Sequence, residues 1–581
     1  MPNFQYQINN IQLKNNSSII PGKINVFVGA NNCGKTQLLK DMIAYITGKR
    51  EPFIILDHLD VPYPQNWDIF QQKYDMPITE SNGSQLLRHI SPTLDQDAIG
   101  FSTTNIHQVM DQYLLSDKHQ FRSAIGAGLV TYLNTDNRLR LAMSQPVQNL
   151  HDRGAKNVLE ALYLSGNSST RKARKIIKDI FGTDMYLDSS NLGMLQCKIG
   201  SDFSSITDNP QDAYTQLANY PLLDTQGDGI RSVLGIISSI IAVKKPILLL
   251  DEPEAFLHPP QAAQLGSTIS ELVEPDQQIF ISTHSADFLR GLLSSTRDAV
   301  IIHISRDSSN NTNAKVLDSN ALNQIITDPL LSSSRVLEGM FYKGVVATEA
   351  DADAIFYQRL FQKIGSSDEI HFVNAHNKQT LKKLIEPYKK LGIKFAMISD
   401  ADVIRDLHEF KNLLEIESNE ELKSQILAER NIIYNYFHSR NKYETLIDLH
   451  NEIVKLTDNQ LPSQEDTPEI IASRIFDLRS SLKKLRDESD ELADFKKSGY
   501  HSLPAEFRQT FDNLWNHCSN IGLFIVKVGE LESWLVDYGI DRTSNKSKWI
   551  TKALNKLFEI EYDEEKEIWK FIANLKLYLT S

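Results

Sequence analysis

Cysteine is scarce: Cys33, Cys197 and Cys518 are the only three in 581 residues, and no two stand at CxxC spacing. That excludes a disulfide framework and a thiolate zinc site, and a reducing cytoplasm is the expected compartment. Membrane-length apolar runs are missing as well, since the run 233–243 stops at Lys244-Lys245. The opening MPNFQYQINNIQLKNNSS has no basic stretch followed by an apolar core, so neither secretion nor a membrane anchor is expected. Excess positive charge is also absent. With a formal net charge of -13, indiscriminate nucleic-acid binding is disfavoured and any such site must be local. What is present is ordinary for globular protein, 41% hydrophobic and 23% charged, in a chain too long for one core. Two or three domains are expected.

Along the chain, residues 1–335 alternate strand-like and helix-like patterns, with strands expected at 24–28, 246–250 and 278–282. The stretch from about 50 to 220 shows no recognisable chemistry and reads as an arm or insertion. A Ser-, Asn- and Asp-rich segment, 302–335, ends this domain. A second, smaller α/β domain is expected over 336–581, with strands at 345–348, 369–373, 394–399 and 523–528. Its segment 406–520 is charged, helix-patterned and almost free of glycine, and reads as a helical insertion between two strands.

The strongest local signal is INVFVGANNCGKTQLL, a strand entering a glycine-rich loop that opens a helix. This is a Walker A phosphate loop: Gly29, Asn32 and Gly34 shape a backbone cradle, Lys35 reaches the β and γ oxygens, and Thr36 ligates Mg²⁺. A second apolar strand, ILLLDEPEAFLHP, ends in Asp251, placed to hold Mg²⁺, and Glu252, placed to polarise the attacking water. Downstream, IFISTHSADFL puts His284 at a third strand end. Upstream, Gln226-Gly227-Asp228-Gly229-Ile230-Arg231-Ser232 opens a helix, and Gly227, Asp228 and Gly229 allow close approach to a phosphate.

The second domain carries acids at strand ends. Glu349 follows an apolar strand and Asp353 lies on the next helix; alone, such an ExxxD pair is more often a solvated helix face. KFAMISDADVIRD ends a strand in Asp400 and Asp402, and LFIVKVGELESWL ends another in Glu530 and Glu532. Three strand ends rich in hard oxygen donors suit Mg²⁺ or Mn²⁺, and two-metal phosphodiester cleavage is the natural chemistry. Lys546, Lys548 and Lys552 lie beyond the acids. One of them, Lys552 among the candidates, would neutralise the scissile phosphate, while at least two of the three read as solvated helix lysines.

The order of Walker A, QGDGIRS, DEPEAFLHP and STHS resembles the ABC-type ATPases related to RecF and SMC, above all the branch found in the overcoming-lysogenization-defect (OLD) nucleases. That resemblance implies an ABC-type P-loop ATPase domain followed by a Toprim domain with a helical insertion. It implies ATP as ligand and a homodimer or higher homo-oligomer, in which the signature segment of one protomer completes the ATP site of another. In the Toprim half, Glu349 and Asp353 fit the family's Glu-Gly and Asp pattern except that Ala350 replaces the glycine, which crowds the turn by a methyl group. Lys378 falls where the family has a turn lysine, Asp400 and Asp402 match its DxD, and Glu530 and Glu532 resemble its late acidic motif. The resemblance covers both ends of the ATPase, residues 340–402 and 520–555. It implies DNA as substrate and a role in antiphage defence, alone or with a partner such as a helicase or a retron reverse transcriptase with its DNA. An RNase acting on RNA such as tRNA, and a non-cleaving ATP-driven DNA clamp, are the competing readings; the joint presence of Glu349, Asp353, Asp400, Asp402 and Glu532 speaks against the clamp.

Overall fold

The computed structural model describes residues 4–580 except 51, 75, 77, 82, 90–98, 148–149, 151–153, 192, 297, 308, 318, 366–368, 440–445, 459–466, 489–491 and 543–545. It divides into two compact units, residues 1–342 with 390–392, and 343–389 with 393–581. The first unit thus runs beyond 335, because the short helix Ser334–Glu338 packs on the helix Ala286–Ser295 of that unit.

The first unit is built on a six-stranded sheet. Its strands are β1 (Ile24–Val28), β2 (Val130–Leu133), β3 (Ile247–Asp251), β4 (Gln278–Ser282), β5 (Ala299–Arg306) and β6 (Thr312–Val316), in the order β6-β5-β1-β4-β3-β2. All neighbours are parallel except the β5–β6 hairpin at one edge. Every residue of β1, β3 and β4 is buried, which is why these segments read as unbroken apolar runs: a parallel sheet is covered on both faces. Buried Asn25 in β1 is tolerated because its amide donates to the Gly22 and Ile279 carbonyls, at 2.9 and 3.1 Å. The helices used below are α1 (Lys35–Ile46), α2 (Thr135–Arg140), α3 (Asp228–Ser238), α4 (Pro259–Leu272) and α5 (Ala286–Ser295).

The segment 50–220 is not wholly an arm. Val130–Leu133 pairs in parallel with β3 and completes the central sheet, and α2 follows it directly. Four residues, VTYL, are too few to show a period, so the strand was not legible before its partner was known. The rest of the stretch includes two antiparallel three-stranded sheets, Ile78–Ser81 with Ser84–Arg88 and Ile99–Thr103, and Gln145–Pro146 with Asp184–Asp188 and Met194–Gly200.

The second unit holds a four-stranded, all-parallel sheet of β7 (Gly344–Thr348), β8 (Ile370–Asn374), β9 (Lys394–Ser399) and β10 (Leu523–Ile525), in the order β8-β7-β9-β10. Helix α6 (Asp351–Lys363) links β7 to β8, and α7 (Lys378–Leu391) links β8 to β9. Between β9 and β10 run α8 (Leu407–Leu414), α9 (Glu420–His438), α10 (Leu446–Asp458), α11 (Pro468–Glu488), α12 (Ala493–Ser498) and α13 (Ala505–Asn520). The insertion is stitched to the sheet at its end, where the Trp515 indole on α13 donates to the Ile525 carbonyl at 2.9 Å. Helices α14 (Lys546–Glu559) and α15 (Glu567–Thr580) close the chain's described part, with Phe571 packing on Trp534 and Tyr357 at 5.1 and 5.9 Å between ring centres.

Candidate functional site

In the first unit the phosphate loop is shaped by its backbone. Gly29 has φ 142°, and a Cβ there would stand 2.1 Å from the Ile304 carbonyl oxygen, so only glycine lets β1 turn beneath β5. The Lys35 ammonium is buried and donates to the carbonyls of Gly29 and Ala30 at 2.7 and 3.0 Å. Burial pulls its pKa down, against the opposing pull of Cys33, Glu252 and Asp251. Thr36, on the first turn of α1, donates to Asp251 Oδ1 at 2.9 Å, and the Tyr132 hydroxyl of β2 donates to Oδ2 at 3.3 Å. The hydroxyl and carboxylate expected to share Mg²⁺ are therefore already side by side, held by neutral donors.

Glu252 carries a left-handed φ of 50°, unusual for a side chain with a Cβ, and its N–H donates to Ser282 of β4 at 2.8 Å. The strain is held by Arg138 on α2. Its fully buried guanidinium donates to the Asp251 and Glu252 carbonyls at 2.6 and 2.7 Å and to Ser232 Oγ on α3 at 2.6 Å. Glu254 is half-buried and accepts from Thr283 Oγ1 and the His284 N–H at 2.8 and 2.9 Å, and desolvation raises its pKa. This sets His284 with Nε2 3.7 Å from Glu252 Oε1; burial, then the Lys35 charge, pulls the imidazole down to about 4, so it is neutral at pH 7. Gly227 caps α3 and is exposed, and Asp228 pairs with Arg231. Among the described residues no hydrogen bond or ion pair joins Gly227, Asp228 or Gly229 to the loop Gly29–Thr36. Tyr132 and Arg138 have no motif around them; their roles depend on strand pairing and burial.

In the second unit the acids stand at the C-terminal ends of β7, β9 and β10, the end where parallel sheets place ligands. Glu349 Oε1 accepts from Ser399 Oγ at 2.7 Å and from the Asp400 N–H at 3.4 Å, and burial raises its pKa. Ala350 takes an extended φ of -141°, so the methyl group in place of glycine causes no backbone strain. Asp353 is buried on the first turn of α6. Tyr357 is buried, and burial pushes its hydroxyl well above the usual phenol range; the Trp534 hydrogen bond opposes this, and the charges of Asp353, Asp400 and Glu532 add to it. The Trp534 indole fixes that hydroxyl at 2.9 Å.

Asp400 caps a 3₁₀ turn, Ala401–Ile404, and Asp402 on that turn faces two lysines: Lys378 on Oδ1 and Lys496 on Oδ2, the latter at 3.0 Å. Burial pushes the Asp402 pKa up, but the lysines outweigh it and hold it below the usual carboxylate range. Glu530 is paired with Arg542. Accordingly, among the described residues no three His, Cys, Asp or Glu side chains stand close enough to hold an ion as they are. The donor set, all carboxylate, still fits a hard divalent cation, which would exchange with these basic side chains for the same oxygens. Lys552 is exposed on α14, and no ion pair joins it to the acids among the described residues; the Lys546 side chain lies outside the described residues. An open groove lined by Glu349, Ala350, His376, Asn377, Lys378 and Glu409 leads to this end of the sheet.

Two family models match the chain: an AAA domain (putative AbiEii toxin, type IV toxin–antitoxin system) over residues 112–290, and the Toprim domain of overcoming-lysogenization-defect-like proteins over 340–402. The chain therefore carries an AAA-type ATPase domain and, after it, an OLD-like Toprim domain. The Old nuclease of Escherichia phage P2 is 28% identical over 192 residues, covering 31% of this chain and 32% of that protein, so the chain spans about a third of the curated relative it matches. Two solved SMC heads align over 54% of the chain: one bound to the C-terminal winged helix of ScpA, at 12% identity over 98% of that chain with TM-score 0.32, and one from Thermotoga maritima, at 11% over 99% with TM-score 0.29. The OLD-like match ends at Asp402, leaving Glu530, Glu532 and the helical insertion outside it. Among the described residues no helix is long and apolar enough to cross a membrane.

Proposed function

We propose that this OLD-like chain is an ATP-regulated, divalent-metal-dependent nuclease that cleaves DNA phosphodiester bonds as an effector of antiphage defence. The observation that carries the reading is that acids follow the parallel strands β7, β9 and β10 at the same end of one sheet, where Glu349 accepts from Ser399 Oγ and the Asp400 N–H. Glu349, Asp353, Asp400, Asp402 and Glu532 would hold the metal. Mg²⁺, or Mn²⁺ with its looser geometry, supplies a Lewis acid and an activated water there. Around it, Ser399 orients Glu349, and Lys378 supplies positive charge next to the groove.

In the ATPase half Lys35 binds phosphate oxygens, Thr36 and Asp251 hold Mg²⁺, and Glu252 with neutral His284 positions water. The Gly227–Gly229 turn, exposed at Gly227, completes the ATP site of a second copy, which makes at least a homodimer part of the reading. Light scattering should give a dimer or larger species with ATP; a monomer at every concentration contradicts that part. The test of the whole is incubation with Mg²⁺ and labelled duplex DNA, single-stranded DNA and tRNA, with and without ATP. DNA cleavage that responds to ATP is expected. Cleavage confined to tRNA makes the protein an RNase, and binding without cleavage makes it a clamp.

A further inference from the structure

Helix α12 belongs to the helical insertion, yet it is pressed onto the turn that follows β10. A Cβ on Gly529 would stand 2.3 Å from the Lys496 carbonyl oxygen, and one on Gly499 would stand 1.9 Å from that of Lys527. Both glycines have positive φ, 108° and 51°, so the two backbones meet where no other residue fits. Hydrogen bonds tie the contact: Tyr500 N–H to Lys527 O at 2.8 Å and Ser533 Oγ to Lys497 O at 2.9 Å. The same turn binds the DxD segment, because the Ala401 N–H donates to Gly529 O at 2.7 Å. Phe495 anchors the helix from behind, against Phe437 and Phe511 at 4.9 and 5.7 Å between ring centres. The position of Lys496 is therefore built by backbone contacts and a buried aromatic, while its side chain, 40% exposed, stands between Asp402 and solvent.

An ammonium group and a divalent cation compete for one carboxylate, and a lysine displaced from Asp402 remains within a few ångströms of the metal, where the charge to be met is a phosphate of the substrate backbone. We propose that Lys496 is a transferable counter-ion: it holds Asp402 while the site lacks metal and passes to a nucleic-acid phosphate when metal and substrate are bound, making the helical insertion part of substrate recognition. This rests on the nuclease reading above. Lys378 covers the other oxygen of Asp402 from the sheet side, so the insertion supplies the one of this pair that is more exposed and more readily transferred.

The experiment uses the full chain as wild type, Lys496→Ala, Lys496→Gln and Lys496→Arg, with Gln retaining most of the stem in case Ala perturbs folding. Without nucleic acid, calorimetric Mn²⁺ titration should show about tenfold tighter binding for Ala and Gln, since the competing cation is gone. With Ca²⁺ in place of Mg²⁺ to suppress cleavage, a DNA oligonucleotide should bind about tenfold more weakly to both, with its salt dependence reduced by about one phosphate contact, and Arg should restore both readings. Unchanged Mn²⁺ affinity overturns the proposal. Tighter Mn²⁺ binding with unchanged DNA binding also overturns it, reducing Lys496 to a local counter-ion. Wild-type protein that neither binds nor cuts nucleic acid overturns the nuclease reading instead, and the hand-over with it.

Discussion

The two sites hold their carboxylates in opposite ways. In the ATPase, Asp251 accepts from the hydroxyls of Thr36 and Tyr132, and the strained Glu252 backbone is fixed from behind by Arg138. Neutral donors and a buried scaffold set these acids without consuming their charge. In the Toprim half, Asp402 is held by Lys378 and Lys496 and Glu530 by Arg542, so cations already occupy oxygens that the proposed metal would use. A preorganised site should lose function through small geometric changes. A site closed by ion pairs should respond to changes in charge, metal and salt.

The largest effect that sharpens this contrast is expected for Glu252→Gln. Removing the water-polarising carboxylate while keeping its shape should lower ATP hydrolysis on the order of a thousandfold and leave ATP binding intact. Normal turnover would remove Glu252 from the mechanism. Next, Lys35→Ala should weaken ATP binding by on the order of a hundredfold or more, read by fluorescent-nucleotide titration, because the buried ammonium has carbonyl partners but no substitute cation in the loop. Unchanged affinity would mean that the loop is not the phosphate cradle.

A smaller loss, about tenfold in hydrolysis with ATP affinity little changed, is expected for Arg138→Lys. A lysine keeps the charge but cannot reach Ser232 and two carbonyls at once. A stable variant with wild-type hydrolysis would show that Glu252 needs no such support. The smallest effect concerns pH. His284 titrates at about 4, so hydrolysis should change less than about twofold through this residue between pH 6 and 8. The sign for stability is the reverse of a salt-bridged histidine: below about 6.5 the unfolded imidazole takes up a proton that the folded one refuses until about 4, so stability falls on acidification across that window. His303, also buried and held down to about 4, adds in the same direction. A rate step near pH 6.5 that disappears in His284→Gln would contradict the assignment.

The same contrast explains what the sequence revealed. Chemistry at ends of buried strands was legible, since runs such as ILLLD and GVVAT and the loops after them combine apolar patterning with a distinctive residue order. The Walker loop, Asp251, Glu252 and the acids after β7, β9 and β10 were expected at such strand ends, and the structure places them there. Long-range partners were not. Arg138 lies 113 residues from Asp251 and meets it only because VTYL pairs with β3. Lys496 lies 94 residues from Asp402, in an insertion whose charged helices look alike until one backbone is pressed against another. For the same reason Lys552, which is nearer in sequence to the late acids, was a natural candidate although the structure brings Lys496 to Asp402.

The Toprim acids, and not the ATPase, are expected to cut nucleic acid. This is tested most directly by following ATP hydrolysis and cleavage of labelled DNA and RNA in the same Mg²⁺ reactions, for wild type and the Glu349→Ala/Asp400→Ala double variant. Loss of hard ligands should lower cleavage by on the order of a hundredfold or more while hydrolysis stays near the wild-type rate. Cleavage by the double variant at the wild-type rate would contradict the account.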